Sequence, residues 1–520
     1  MGSRLVFTAI AVILYSASLT SSAEDLPCRA RDVGIKGRSI VCVCDANYCD
    51  TITREDPAPG TFVVYTSSNA GKRFEKTFGE IKSTPRSSRM KQTKRKRILK
   101  TLTSPGLDES EENNETSVWS RVNLRVQTNL RHQYIEGFGG SVTDAAAINW
   151  RKLSDAAQFR FIDTYFGPEG LEYNLIQDYF LKLPMIRRSQ FAAPTEVKIV
   201  ASTWSPPIWM KSNERITGFG QLRPEFYQTF ADYHLRFIEE YSKAHVKIWA
   251  ITTTNEPING IVPWAPFNSL GWTPPQLARW ITNNLGPTIR KSPFNDTLIL
   301  AVDDQRYLLH FYMLGMEKAD PKFLDYIDGI AIHYYGNFAP AQILTELHNR
   351  YGKMMLSTEA CEGPMPWHLL KVEVGSWRRA RRYITSILED LNNFVVGWID
   401  WNLCLDPEGG PNWADNFVDA AILVYAEKDE FIKQPMYYAM GHFSKFIPRG
   451  SRRVAVRRRS IMTLENLAVL NPRGNIVMVI QNRYRREMYL QIQISPRRYI
   501  ELTMEPESVK TIEINDNLNS

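Results

Sequence analysis

The stretch that decides the fold is residues 246–257, VKIWAITTTNEP. An apolar run of β-branched and aromatic residues ends abruptly on Asn255-Glu256-Pro257. Such a run reads as a buried strand. A carboxylate at its end needs a reason, because a buried strand gains nothing from a charge unless the charge is used or paired.

The same pattern recurs on both sides. In chain order the runs are YIEGFGGSVTD, LEYNLI, VKIVASTWSPP, VKIWAITTTNEP, LILAVDDQR, DGIAIHYYG, KMMLSTEA and VVGWIDWN. Helical stretches lie between them. PEFYQTFADYHLRFIEEYSK, before the fourth run, is amphipathic. TPPQLARWITNNL, after it, carries Thr273 as N-cap, Pro274 at the first helical position and Gln276 completing a capping box. Eight strands alternating with helices predict a (β/α)8 TIM barrel over residues 119–402, with 436–449 returning to it. In that fold the C-terminal strand ends build the active site.

After residue 402 the pattern changes. NPRGNIVMVIQNRY, MYLQIQI and SVKTIEI alternate without helices and predict a β-sandwich. Residues 51–81 and 450–520 are expected to form it together, so that domain is built from both chain ends.

The N-terminus reads as a secretory signal over residues 1–23: Arg4, then LVFTAIAVILY, then small residues up to Ala23. Cysteine usage fits an oxidising compartment. Four of the six cysteines, Cys28, Cys42, Cys44 and Cys49, crowd into residues 24–50, expected to be a small β-sheet completed by part of 403–435. Three pairings are possible. The cluster holds no histidine, which argues against zinc. Cys361 and Cys404 remain as free thiols.

The net charge of +7 is unevenly spread, with nine Lys or Arg and no acid between Lys82 and Lys100, then five acids between Asp108 and Glu115. Residues 82–118 read as a solvated, disordered insertion. Nucleic-acid binding is not expected of a secreted chain. No metal or phosphate motif is visible and no cofactor is expected. Sequons at Asn114 and Asn295 permit glycosylation.

Acids at the predicted strand ends are Asp144, Glu256, Asp303, Asp304, Glu359 and Asp400. Glu256 ends the fourth strand and Glu359 the seventh, which face each other across a barrel mouth. Two carboxyls flanking one bond suit glycoside hydrolysis, and about 5–5.5 Å between them suits retention of configuration. Aromatic wealth, with 13 Trp and 23 Tyr, agrees with sugar stacking, although core packing explains most of it.

With these residues in place, the chain resembles glycoside hydrolase family 30, in the branch that cleaves glucosylceramide. The resemblance runs through most of the chain, in VCVCDANYCD, GFGGSVTDAAA, TTTNEP, DDQR, STEAC, GWIDWNL, PEGGPNW, NFVD and IKQPMYYAMGHFSKFIPRGS. It implies a retaining barrel with a β-sandwich and a small disulfide-bearing sheet, and pairings 28–42 and 44–49. It implies Glu256 as acid/base, Glu359 as nucleophile and Asn255 as donor to the sugar 2-hydroxyl. Tyr335 would bond a catalytic carboxylate. Trp204, Trp401 and Asn416 would hold glucose, and Phe267 would line the lipid entrance. His333 is either a neighbour of the site or a hydrogen-bonded strand-end residue. Cys361, two past Glu359, is expected as a buried thiol near it. The resemblance further implies a glycosphingolipid substrate, a membrane surface, a saposin-type activator and a lysosomal or extracellular destination.

One departure bears on the pocket. In LEYNLIQDYFLKLPMIRRSQ, residues 171–190, the second strand runs almost directly into its helix. The family carries there an Arg-Val-Pro word and a long loop whose Asp grips glucose hydroxyls. Asp178 cannot be assumed to replace that Asp. The expectation is a glucose pocket lacking one wall, with activity weakened or altered, or a homologue that only binds glycolipid or a protein partner.

Overall fold

The computed structural model of the chain describes residues 25–84, 120–178, 182–263, 265–365 and 368–517. At its centre eight parallel strands close into a barrel: Gly137–Val142, Leu175–Asp178, Lys198–Ala201, Ile248–Thr252, Leu298–Gln305, Gly329–His333, Met354–Glu359 and Val395–Asp400. They are the eight runs predicted from the sequence, in the same order. The eighth closes on the first in the register Gly397↔Gly137 to Asp400↔Gly140. Leu175, Val200, Ala250, Leu300, Ala331, Leu356 and Ile399 form one cluster, one residue from every strand but the first. The first strand contributes glycines instead. A Cβ on Gly139 would stand 1.8 Å from the Leu175 carbonyl oxygen, so the first and second strands approach too closely for a side chain there.

The helices flanking strand four form where their signals stand. Tyr227–Lys243 buries Phe230, Ala231, His234, Ile238 and Tyr241 on one face. Pro274–Trp280 starts with the predicted capping box, with both arms made by Thr273 and Gln276. Thr273→Ala removes that cap, and the expected cost is about 1 kcal/mol, visible as a small drop in Tm. An unchanged Tm would mean the cap is idle.

A ten-stranded sheet forms the second large layer. Its order is Glu75–Glu80, Thr61–Ser68, Ser508–Ile514, Ile476–Asn482, Glu465–Leu470, Arg452–Arg458, Arg121–Tyr134, Met488–Gln493, Arg498–Met504 and Lys82–Ser83. Both chain ends supply strands. Two expected boundaries are corrected here. Arg121–Tyr134 is not the start of the barrel but a strand of this sheet, paired antiparallel with Arg452–Arg458 and parallel with Met488–Gln493. Its alternating Val122, Leu124 and Val126 are buried in the sheet's own core. The barrel therefore begins at Gly137. Likewise Lys82–Ser83 pairs with Arg498 and Tyr499, so the first residues of the charged stretch belong to the sheet. The rest of that stretch from residue 85, with Asn114, and the signal at 1–23 lie outside the described residues. Asn295 is described and exposed.

A four-stranded sheet joins Ala30–Arg31 and Val41–Asp45 to Glu430–Lys433 and Ile422–Tyr425. Disulfides Cys28–Cys42 and Cys44–Cys49 fasten it, while Cys361 and Cys404 are free and buried.

The second strand differs from expectation in one respect. Its pairing extends through Gln177 and Asp178, against Val142 on one side and Ala201 on the other. The sequence placed Asp178 in the approach to the helix. Helix Leu183–Ala192 then begins with Pro184 in its first turn. Only residues 179–182 connect the two, within the ordinary length of a βα turn, and the barrel closes without the longer loop.

Candidate active site

Strand four does not end straight. Glu256 has φ 40°, and on strand five Val302 and Asp303 have φ 75° and 56°. Left-handed backbone at non-glycine residues is uncommon, and a β-branched valine there is an outlier. The two strained segments hold each other, since the Glu256 N–H donates to the Asp303 carbonyl at 2.9 Å. Strand five also shifts register between Val302 and Asp304. Strain of this kind persists where surroundings enforce it, and here it accompanies the placing of Asp304 beside the charge of Glu256 and of Asp303 against His333.

His333, at the end of strand six, stands in the middle. Its Nδ1 lies 2.9 Å from Glu256 Oε1 and 3.9 Å from Glu359 Oε1, and its Nε2 lies 3.1 Å from Asp303 Oδ1. The nearest polar atoms of Glu256, His333 and Glu359 all fall within 4.8 Å of one another. The two carboxylates predicted from strands four and seven are thus brought together, close enough to flank one bond. His333 is the centre of this group and not a mere strand-end residue.

Each carboxylate is held from several directions. Gln305 Nε2 donates to Glu256 Oε1 at 2.6 Å, and Asn259 Nδ2 donates to Glu256 Oε2. Tyr335 Oη donates to Glu359 Oε1 at 2.8 Å and touches Cys361 Sγ at 3.4 Å. Asp303 accepts from Thr358 Oγ1 at 2.6 Å and from Ser202 Oγ at 2.7 Å. Glu359 Oε2 and Asn255 Oδ1 are buried and have no hydrogen-bond partner among the described residues. Polar atoms left so are what a hydroxyl-rich ligand would satisfy.

The electrostatics follow from burial and proximity. Burial, with the charge of Glu256 beside it, pushes Glu359 up to about 8 against the pull of His333 and Tyr335. Burial and Glu256 likewise push Asp304 up to about 8. Burial alone would raise Asp303, but the His333 charge and three hydrogen bonds hold it below the usual carboxylate range. Burial alone would lower His333, but Glu359 and Asp303 raise it well above its usual value. His333 is therefore an imidazolium donating from both nitrogens. Glu359 is therefore the carboxyl of the group that burial and the neighbouring charge hold toward its protonated form.

These shifts set the pH dependence of stability. Burial also raises Asp390 to about 6 and Asp400 to about 7. A carboxyl raised in the fold holds a proton the unfolded chain has released. Its stabilisation is complete below the unfolded value and is lost as pH rises through the folded one. His333 has the same sign. His234 and His442, lowered by burial to about 4 and about 3, oppose it, but only below the unfolded histidine value of about 6.5. Melting should therefore come several degrees lower at about pH 8 than at about pH 5.5. A Tm that rises over that interval would contradict the assignment.

The remaining predicted residues form a second group beside the first. Trp204 and Trp401 stack with ring centroids 5.2 Å apart, and Phe267 meets Trp204 edge-on at 5.7 Å. All three, with Asn416, line a cavity of about 700 Å³. Two backbone bonds tie this group to the carboxylates: Asn255 N–H to Thr203 O at 2.8 Å, and Trp401 N–H to Ala360 O at 2.7 Å. Nothing in the sequence singles out Gln305, Asn259 or the Asp303–His333 contact. Their only trace was the density of polar residues at the strand ends, in DDQR and IHYY.

Residues 175–447 match the model of the glycosyl hydrolase family 30 TIM-barrel domain, and residues 450–512 match the family 30 beta sandwich domain. The chain belongs to glycosyl hydrolase family 30. Among curated relatives it is 36% identical over 525 residues to the lysosomal acid glucosylceramidase of Mus musculus, covering 93% of this chain and 95% of that protein. It is 33% identical to putative glucosylceramidase 3 of Caenorhabditis elegans, over 91% of this chain and 92% of the other. Among solved structures, SrfJ from Salmonella typhimurium superposes with a TM-score of 0.73 at 22% identity, covering 88% of this chain and all of that one. The last likeness concerns the fold. This family 30 member is a glycosidase, with a barrel and sandwich to match.

Proposed function

We propose that the chain is a retaining β-glucosidase that hydrolyses glucosylceramide to glucose and ceramide. The observation that carries the reading is the pair of carboxylates from strands four and seven, each with an oxygen within 4.8 Å of the other's. Glu359 attacks the anomeric carbon while Glu256 protonates the departing oxygen. Water then attacks the glucosyl-enzyme with Glu256 as base. The proton given to the leaving oxygen must reside on Glu256 when the bond breaks, and His333 Nδ1, 2.9 Å from Glu256 Oε1 and 3.9 Å from Glu359 Oε1, can deliver it. Asn255 takes the sugar 2-hydroxyl, and Trp204, Trp401 and Asn416 take the remaining face. Phe267 borders the ceramide. Tyr335 fixes Glu359 through its hydrogen bond.

A ceramide sits in a lipid surface, so the enzyme works there in a peripheral manner, with a saposin-type activator to present the lipid, in the lysosome or outside the cell. No helix among the described residues is long and apolar enough to cross a membrane. Exposed Ile208, Trp209 and Phe219 follow strand three on the mouth side and suit contact with lipid. The net charge of +7 favours an anionic one.

A second reading has one specific observation behind it. Trp204 and Trp401 stack on each other with ring centroids 5.2 Å apart, which leaves no room for a sugar ring between the two indoles. A homologue of weak activity that mainly binds glycolipid or a protein partner would look so. Release of glucose from glucosylceramide in mixed micelles at acidic pH separates the two. Turnover supports the enzyme; a folded chain that binds the lipid without releasing glucose supports the second reading.

A further inference from the structure

Strand five ends on three consecutive residues that each grip the turn carrying Glu256. The Asp303 carbonyl accepts the Glu256 N–H at 2.9 Å, Asp304 Oδ2 accepts the Ile258 N–H at 3.2 Å, and Gln305 Nε2 donates to Glu256 Oε1 at 2.6 Å. The other oxygen of Asp304, Oδ1, accepts the Gln305 N–H at 2.8 Å. One carboxyl thus joins the backbone just beyond Glu256 to the backbone of the residue whose side chain holds Glu256. Asp304 is completely buried, a placement that aspartate rarely takes unless it is paired. The turn needs such a hold, because Glu256 has φ 40°, a left-handed conformation that its surroundings must enforce. Asn259 closes the far end, its N–H donating to the Glu256 carbonyl at 2.9 Å and its side chain to Glu256 Oε2.

We propose that Asp304 is a positioning residue for the acid step, fixing the Pro257–Ile258 turn so that the Glu256 carboxyl meets the departing oxygen. The inference rests on the reading above, in which Glu256 is the acid/base. In that step the bond from the anomeric carbon to the aglycone oxygen breaks, that oxygen takes the Glu256 proton, and Glu359 forms the ester. Asp304 acts through Glu256 and takes no part in these bonds. Burial and the charge of Glu256 push Asp304 up to about 8, against the two backbone N–H groups and His333. At acidic pH it is a neutral carboxyl, both of whose oxygens keep lone pairs for the two N–H groups. Asparagine is equally neutral and has the same shape, but its nitrogen has no lone pair to offer. Asp304→Asn therefore loses one of the two braces.

The test compares kcat/KM, which reports the bond-breaking step, on two β-glucosides. The oxygen of an alkyl glucoside cannot leave without a proton, whereas that of a dinitrophenyl glucoside can. Asp304→Asn should lose about 10²-fold on the alkyl glucoside, the low end of what a general acid supplies, and less than about threefold on the dinitrophenyl one. The ratio of the two rates cancels the folded fraction, so a variant that folds poorly still answers. Asp304→Ser, which also leaves a single acceptor, should change the ratio in the same direction. In a Glu256→Gln background Asp304→Asn should cost nothing further on either substrate, because the group it positions is gone. No loss on the alkyl glucoside, equal losses on both, or a loss that persists beside Glu256→Gln overturns the inference. Glu256→Gln alone tests the reading beneath it and should spare the dinitrophenyl glucoside only. If it spares neither, Glu256 is not the acid, and the inference falls with that reading.

Discussion

Glu359→Gln should lower kcat/KM on an aryl β-glucoside by about 10⁴-fold or more, with Tm little changed. The amide keeps the shape of the side chain and can still accept from Tyr335 Oη, now 2.8 Å from Glu359 Oε1. It cannot form the glycosyl ester. It also removes the carboxyl that burial, with the charge of Glu256, pushes up to about 8. Loss of rate with a normal fold would isolate chemistry from stability. A variant retaining more than about a tenth of wild-type activity would mean the nucleophile is elsewhere, since a missing nucleophile leaves only residual binding catalysis.

The second large effect concerns Asp303. It is completely buried and accepts hydrogen bonds from Thr358 and Ser202 while facing His333 Nε2 at 3.1 Å. Asp303→Ala leaves two hydroxyls and an imidazolium without their acceptor, at an expected cost of about 3–5 kcal/mol. The imidazolium also loses one of the charges that raises it. The variant should therefore melt well below wild type, and the activity it keeps should show a shifted pH profile, because His333 touches Glu256. A stable variant with an unmoved profile would show that Asp303 neither supports the site nor tunes it. Asp303→Asn, which keeps an acceptor without the charge, separates the two contributions.

Much of this was legible in the sequence because barrel strands announce themselves twice, by an apolar run and by the polar residues at its end. VKIWAITTTNEP and KMMLSTEA carry both signals, and so strand order was enough to expect Glu256 and Glu359 across the mouth from each other. RVNLRVQTNLRHQY carried only the first. Its alternating Val122, Leu124 and Val126 mark a strand, but alternation does not say which sheet receives it, and the ten-stranded sheet did. The left-handed backbone at Glu256, Val302 and Asp303 has no local signature at all, since none of the three is a glycine. Only the closed barrel enforces it. For the same reason His333 could not be told from an ordinary strand-end residue before Asp303 was seen to turn toward it. The short strand-two connection was visible as a missing word. The cavity bordered by stacked Trp204 and Trp401 was not legible, because it depends on how helices from different parts of the chain stand around it.

The central claim is that Glu256 and Glu359 act as a retaining pair. The most direct measurement is proton NMR of the sugar released in the first moments of β-glucoside hydrolysis, before mutarotation. The carboxylate spacing predicts β-glucose as the first product. α-Glucose appearing first would mean that water, not Glu359, attacks the anomeric carbon, and the account would fail at its base.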